Sequence, residues 1–279
     1  VITGDQYRKR IGKLKPNVYM AGKIVDRFDP RLVGGINVMA STYDFASDPE
    51  FKGLGTATSH LTGEKVNRFT HIHQSVEDLL NKQRMTRLFS QEVGGCIQRC
   101  MGIDGLNGVS ITSYEADQKY GTEYYKRFVN FMKRVQQEDL ALNCAQTDVK
   151  GNRPWRPHEQ KDPDLYLRVV EKKSDGIVVN GAKAHNSCSA YVDEILAIPT
   201  RNMTPEEKDW AVAFAVPADW EGVTLINAAY SPPRRKMLEA PYNNVGGSHS
   251  ITVFDHVFVP WERVFMCGEA ELAAKLALL

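Results

Sequence analysis

The chain has 279 residues, enough for one large domain or two modest ones and for a core that needs no disulfide staples. Lys+Arg total 35 and Asp+Glu 34, a formal net charge of +1, which argues against nucleic-acid binding as the main role. There is no apolar run of about 18 residues to span a membrane, Val1 to Asp5 lack the basic-then-apolar pattern of a signal peptide, and five cysteines are too few for a disulfide scaffold, which suggests reduced thiols in a cytoplasm.

The first sixty residues are rich in Gly, Pro and Asp, with Asp29-Pro30 and Asp48-Pro49 as turn signals. Between Ser75 and Cys100 the pattern becomes helical. Ser75 with Asp78 resembles a capping box, and Leu79, Leu80, Met85, Leu88 and Phe89 follow helical spacing. Helices are predicted over 107–120 and 122–140. The second carries Tyr125, Phe128, Val129, Met132 and Val135 on one core-packing stripe. Three prolines within 153–163 exclude a helix interior. Residues 166–171 and 177–182 flank Ser174-Asp175-Gly176 as a hairpin. Further strands are expected at 194–199, 211–216, 223–226 and 250–259. Residues 269–279 begin an apolar helix that reaches Leu279 without a cap, so the natural chain is expected to continue. The fold class is α+β: a helical domain over 1–140, a β domain over 141–265, and the start of a second helical domain over 266–279.

Cys96 and Cys100 are four residues apart, and on a helix they would share one face, able to hold one metal or cluster. Two buried small hydrophobes account for the spacing equally simply. Cys144, Cys188 and Cys267 are isolated, so a zinc ribbon is not supported. The run Asn143 to Gly151 is dense in donors and acceptors and suits the edge of a flat heterocycle such as a flavin, or else forms a polar interdomain loop. Neither a Gly-x-Gly-x-x-Gly motif nor a P-loop occurs. The hairpin leads through Lys183 into His185-Asn186-Ser187-Cys188-Ser189, a polar cluster able to face a ligand. His71 and His73 alternate on an extended piece and read as a solvated strand. Gly246-Gly247-Ser248 forms a tight turn that points His249 toward a site or water.

Together these pieces are more specific. Asp175-Gly176-Ile177-Val178-Val179 with Gly181-Ala182-Lys183, and the run Val253 to Phe265, resemble the 4-hydroxyphenylacetate 3-hydroxylase / 4-hydroxybutyryl-CoA dehydratase family over nearly the whole chain. The resemblance implies an acyl-CoA dehydrogenase-like architecture: helices, an antiparallel β barrel-like domain, then a C-terminal four-helix bundle missing here apart from its first turns. Within the family, phenol hydroxylases are expected to place Arg and Tyr where Cys96 and Cys100 stand. The dehydratase branch has Cys there, as ligands of a 4Fe–4S cluster. Residues 95–104, 147–151 and 181–185 resemble that branch.

The resemblance thus implies FAD- and 4Fe–4S-dependent dehydration of 4-hydroxybutyryl-CoA, or a related acyl-CoA substrate, to crotonyl-CoA. It also implies vinylacetyl-CoA isomerase activity and a cytoplasmic homo-oligomer, a tetramer in the full-length enzyme. It assigns Cys96 and Cys100 to the cluster, Gln146, Thr147, Asp148 and Ser187 to the flavin, and His249, Lys183 and His185 to catalysis. The remaining cluster ligands, a His and a Cys, would belong to the bundle. His249 stands where a typical dehydratase is expected to carry a Glu. Two rivals remain: a two-component phenol monooxygenase using reduced FAD, and a non-catalytic fragment or subunit completed by a second polypeptide.

Overall fold

The computed structural model describes residues 1–51, 53–229 and 246–278. The N-terminal region, in which Asp29-Pro30 and Asp48-Pro49 read as turn signals and no individual helix is predicted, contains two helices. Helix α1 (Gly4–Ile11) begins at a complete capping box of Thr3 and Gln6. Asp29-Pro30 is a helix start: Asp29 is the N-cap and Pro30 the first residue of α2 (Pro30–Ser47). Between them, β1 (Val18–Met20) and β2 (Lys23–Val25) form a hairpin. A second small hairpin joins β3 (Thr56–Thr58) to β4 (Lys65–Asn67).

Three helices follow. In α3 (Val76–Glu92) the Ser75 hydroxyl accepts from Asp78 N at 3.1 Å, while the Asp78 carboxylate returns to Gln74 N, one residue before the expected partner. Helix α4 (Cys100–Tyr120) starts seven residues before the predicted 107, and α5 spans Tyr124–Glu138. The early start of α4 was hidden by glycines, which are poor helix formers. Their value is proximity: a Cβ on Gly102 would lie 2.3 Å from Leu142 O, and one on Gly105 would lie 3.0 Å from Cys144 Sγ. Helix α4 therefore rests almost directly on β5 (Leu142–Ala145).

The predicted hairpin is present as β6 (Arg168–Lys172) and β7 (Gly176–Ser187), paired antiparallel. The other expected strands are β8 (Glu194–Ala197), β9 (Val212–Pro217), β10 (Val223–Ala229) and β11 (Ser248–Pro260). β12 (Val264–Cys267) and α6 (Ala270–Leu278) complete the order. The strands build two open sheets rather than a closed barrel, ordered β2-β1-β10-β11-β7-β6 and β12-β9-β8-β5. Nor are they wholly antiparallel, because β1 pairs parallel to β10 and β5 parallel to β8. The first sheet thus recruits two strands from the region read as helical.

The main core joins both larger sheets to α1, α2, α4, α5 and α6, while α3 packs in a smaller cluster with Phe51, Phe69 and Ile103. The α5 stripe packs on β12, with Phe128 and Phe131 ring centroids 5.6 and 5.4 Å from Phe265. Among the described residues, no helix is long and apolar enough to cross a membrane. The α4–β5 contact leaves no room for a methyl group. Gly102→Ala is therefore expected to cost about 1–3 kcal/mol by overpacking. The urea midpoint would measure this against Gly95→Ala, where the added Cβ meets nothing within 4 Å.

Candidate functional site

Strand β5 runs out into Gln146-Thr147-Asp148 alongside the far end of β7. The backbone fixes this approach: Ala184 N donates to Thr147 O at 2.7 Å, and Asp148 forms a bridge with Lys183. The side chains of that bridge turn inward. Lys183 and Asp148 are each 2% exposed, and Nζ lies 2.8 Å from Oδ1. The same ammonium donates to Gln146 O at 3.1 Å and Ile198 O at 2.8 Å, while Asp148 Oδ1 accepts from Leu167 N. Burial pushes the Asp148 carboxyl up, and Lys183 opposes that shift.

Three donors and three acceptors leave the Lys183 ammonium nothing to offer a ligand. Both residues thus differ from their sequence-based assignment. Lys183 is not placed as a catalytic group, nor Asp148 as a flavin contact; the pair clips the 146–148 segment to β7. Gln146 and Thr147 remain on the surface of a small cavity of about 80 Å³, opposite His185, Asn186 and Ser187. The Gln146 amide also donates to Ala277 O of α6 at 3.0 Å. His185 is exposed at the rim, in a left-handed conformation (φ 57°) that marks an irregularity in β7.

The two cysteines are brought together, but not on one helix. Helix α3 ends at Glu92, and Cys96 lies in the following loop while Cys100 is the first residue of α4. Gly94 (φ 67°) and Gln98 (φ 60°) take left-handed conformations that turn the loop back. The thiols hydrogen-bond to each other, and Gln98 N donates to Cys96 Sγ at 3.3 Å. These two bonds lower the Cys96 pKa to about 6, and the same pairing pushes Cys100 up.

Cys96 opens on a cavity of about 270 Å³ whose wall includes Val38, Gly94, Gly247 and His249. Gln98 and Ser187 line both this cavity and the smaller one, so the cysteine pocket and the polar groove adjoin. Ser187 and His249 are register partners across β7 and β11, and Oγ lies 2.9 Å from Nδ1. A hydroxyl–imidazole pair beside a soft dithiol can orient a polar ligand and exchange a proton with it.

Sequence reasoning passed over two buried residues in this loop. Gln98 bonds Tyr191 OH and Gly246 O, tying the cysteine loop to the start of β11. Arg99 runs into the core toward Asp139. The signal for both was their position between the cysteines. His71 and His73 also differ from expectation. His71 is 3% exposed, following a short turn of 3-10 helix at Arg68–Thr70, with Nε2 3.3 Å from Asp78 Oδ1. The motif is not a solvated strand.

Residues 3–266 match the family described as 4-hydroxyphenylacetate 3-hydroxylase N terminal. The chain belongs to this family. It is 43% identical, over 99% of its length, to the 4-hydroxybutyryl-CoA dehydratase/vinylacetyl-CoA-Delta-isomerase of Clostridium aminobutyricum, covering 58% of that protein. It is 28% identical over 97% of its length to the oxygenase component of 4-hydroxyphenylacetate 3-monooxygenase from Thermus thermophilus, covering 56% of it. Its structure superposes on the oxygen-tolerant archaeal 4-hydroxybutyryl-CoA dehydratase of N. maritimus with a TM-score of 0.92 and 42% identity. That match takes in 98% of this chain and 56% of the other. The chain therefore spans little more than half the length of the family members it matches.

Two outcomes follow for this family member. Lys183→Met strands a buried carboxylate and is expected to lower stability by about 3–5 kcal/mol, with Asp148→Leu in the same chain recovering much of the loss. Urea unfolding measures both, and a Lys183→Met protein as stable as wild type would contradict the clip. Burial also holds His71 and His73 below the ordinary value of 6.5. As pH falls through about 6.5 the unfolded chain takes up protons first, so stability should fall with acid from there. His71→Gln should flatten that limb in urea midpoints taken across the range.

Proposed function

We propose that this chain carries the flavin-contacting and cluster-binding part of an enzyme that dehydrates 4-hydroxybutyryl-CoA, or a related hydroxyacyl-CoA, to crotonyl-CoA, with vinylacetyl-CoA isomerase activity. The observation that carries the reading is the Cys96–Cys100 pair at the edge of a cavity that shares Ser187 with the polar groove of Gln146 and Thr147. The similarity to the two dehydratases supports it. FAD is supported by a relative at 26% identity and TM-score 0.80, an oxygenase component whose crystal structure is complexed with FAD.

Two adjacent thiols, one already acidic, suit soft iron. Among the described residues no group of three or more His, Cys, Asp or Glu could hold a metal ion. Cys96 and Cys100 therefore fit as two ligands of a set completed from elsewhere in the protein. When bound, flavin and cluster would supply reversible electron transfer and a Lewis-acidic iron for the departing hydroxyl.

The chain's own residues do the rest. Gln146 and Thr147 present the amide and hydroxyl that hold the edge of the ring. Ser187 fixes the His249 imidazole through Nδ1, and His249 carries the proton to or from the ligand. His185, at the rim, contacts the ligand as it enters. The acyl end of the acyl-CoA enters the larger of these two cavities, between Cys96 and His249.

The phenol monooxygenase reading draws on the 28% identity to such an oxygenase, and it gives the cysteines no task. The enzyme purified anaerobically should show broad brown cluster absorption beside the flavin bands. Cys96→Ser and Cys100→Ser should each lose the cluster absorption and keep the flavin. A flavin-only spectrum in wild type, with phenol hydroxylation driven by reduced FAD, would decide for the monooxygenase.

A further inference from the structure

Between the two cysteines the chain is anchored from below. Ile97 is fully buried, Gln98 nearly so, and Arg99 is 2% exposed. The stretch is folded tightly: Arg99 N donates to Ile97 O at 2.8 Å, around Gln98 with its left-handed φ of 60°. A non-glycine residue holds such a conformation only where its surroundings enforce it.

Arg99 is the strongest of these restraints. Its guanidinium lies 3.1 Å from Asp139 Oδ1, 3.3 Å from Thr42 Oγ1 and 3.4 Å from Leu140 O, and stacks 4.1 Å over the Tyr43 ring. Asp139 is held in turn, its Oδ2 accepting from Ile2 N at 3.2 Å. Arg99 is the N-cap of α4 and makes no side-chain capping bond, since a guanidinium has no acceptor to offer the helix N–H groups; it runs into the core instead. Burying a charge this deeply is costly unless it is paired, so the arrangement favours one loop geometry over a looser, cheaper one.

We propose that Arg99 is a positioning residue that keeps Cys96 and Cys100 as a preformed dithiol clip before any ligand arrives. The side chain of Arg99 locks the backbone immediately before Cys100, and the strained turn at Gln98 then has no slack to release. Cys96 is therefore held back against Cys100. The clip is a property of the cofactor-free chain; only the identity of its occupant, an iron–sulfur cluster, rests on the function proposed above.

The test uses the cofactor-free protein and a monophenyl arsenical, which closes on two neighbouring thiols by exchanging its oxygens for sulfur as water, with no change of oxidation state. The other three cysteines are buried and do not compete. Two variants probe the anchor. Arg99→Lys keeps the charge against Asp139 but loses the planar fork and the stacking. Arg99→Gln with Asp139→Asn removes both charges at once, so neither is left stranded.

Arsenical affinity should fall at least tenfold in the double variant, and by less in Arg99→Lys, while far-UV circular dichroism and the thermal midpoint stay near wild type. A variant that keeps its fold and binds the arsenical within twofold of wild type overturns the proposal, since Arg99 would then be a core residue and nothing more. Tight arsenical binding by this chain, with no cluster taken up by the whole enzyme that also carries the remaining ligands, would uphold the clip and sink the dehydratase reading.

Discussion

The contact on which the site depends is the close approach of α4 to β5. Two glycines, Gly102 and Gly105, remove the side chains that would hold the helix away from Leu142 and Cys144. Once the helix lies that close, its first residue, Cys100, and the residues that continue β5, Gln146 and Thr147, must fall on neighbouring parts of one surface. The parallel pairing of β5 with β8 fixes the strand's direction, so the polar run emerges beside β7 and not at the opposite end. A helix with larger residues at these positions would keep its secondary structure but separate the thiols from the groove by the thickness of a side chain.

Around that contact the molecule uses buried charges as clips, each joining segments far apart in the chain. Lys183–Asp148 joins the segment after β5 to β7, and Arg99–Asp139 joins the start of α4 to the end of α5. Glu194 is held by both Arg134 and Arg263. Glu207 takes Arg156 and His158, pinning the proline-rich 153–163 segment to the turn at Pro205–Trp210. Buried pairs add little net stability over apolar packing, because desolvation consumes most of the attraction. What they add is exclusivity: an alternative register would strand a charge. Their position under loops, where hydrophobic patterning says little, is where that exclusivity is needed.

Strands β6 to β11 were legible because short β-type runs and a Ser-Asp-Gly turn are local properties of the chain; β12 was not expected. The α5 stripe was legible for the same reason. Helices α1 and α2 were not, because α1 is short and mostly polar, and α2 carries Gly34-Gly35 where a helix former would be expected. Gly35 is there for a tertiary reason, as a Cβ would come within 2.4 Å of the Tyr191 ring. The placement of Cys96 near Cys100 followed from the sequence, but the reason was wrong. Helical spacing suggested one face, whereas a left-handed turn at Gln98 and the buried side chain of Arg99 produce the contact. Lys183 and Asp148 were assigned to the site by the family resemblance, with Asp148 in a run dense in donors and acceptors. Their mutual burial makes them its support, and only three-dimensional pairing could reveal it.

The same logic explains the division of labour within the loop from 94 to 100. Exposed or half-exposed residues there carry the thiols; buried ones carry the anchors. Interchanging the two sets would bury thiols in an apolar setting, where the thiolate is disfavoured. It would also expose a guanidinium that could no longer fix the backbone. Cys96 gains its acidity from Cys100 and from Gln98 N, two partners supplied by the fold of the loop itself rather than by a distant cation. The lowered pKa of Cys96 is therefore inseparable from the loop's geometry, and the geometry from what lies beneath it. That dependence runs from the charge on Arg99, through a strained turn, to the chemistry at the surface.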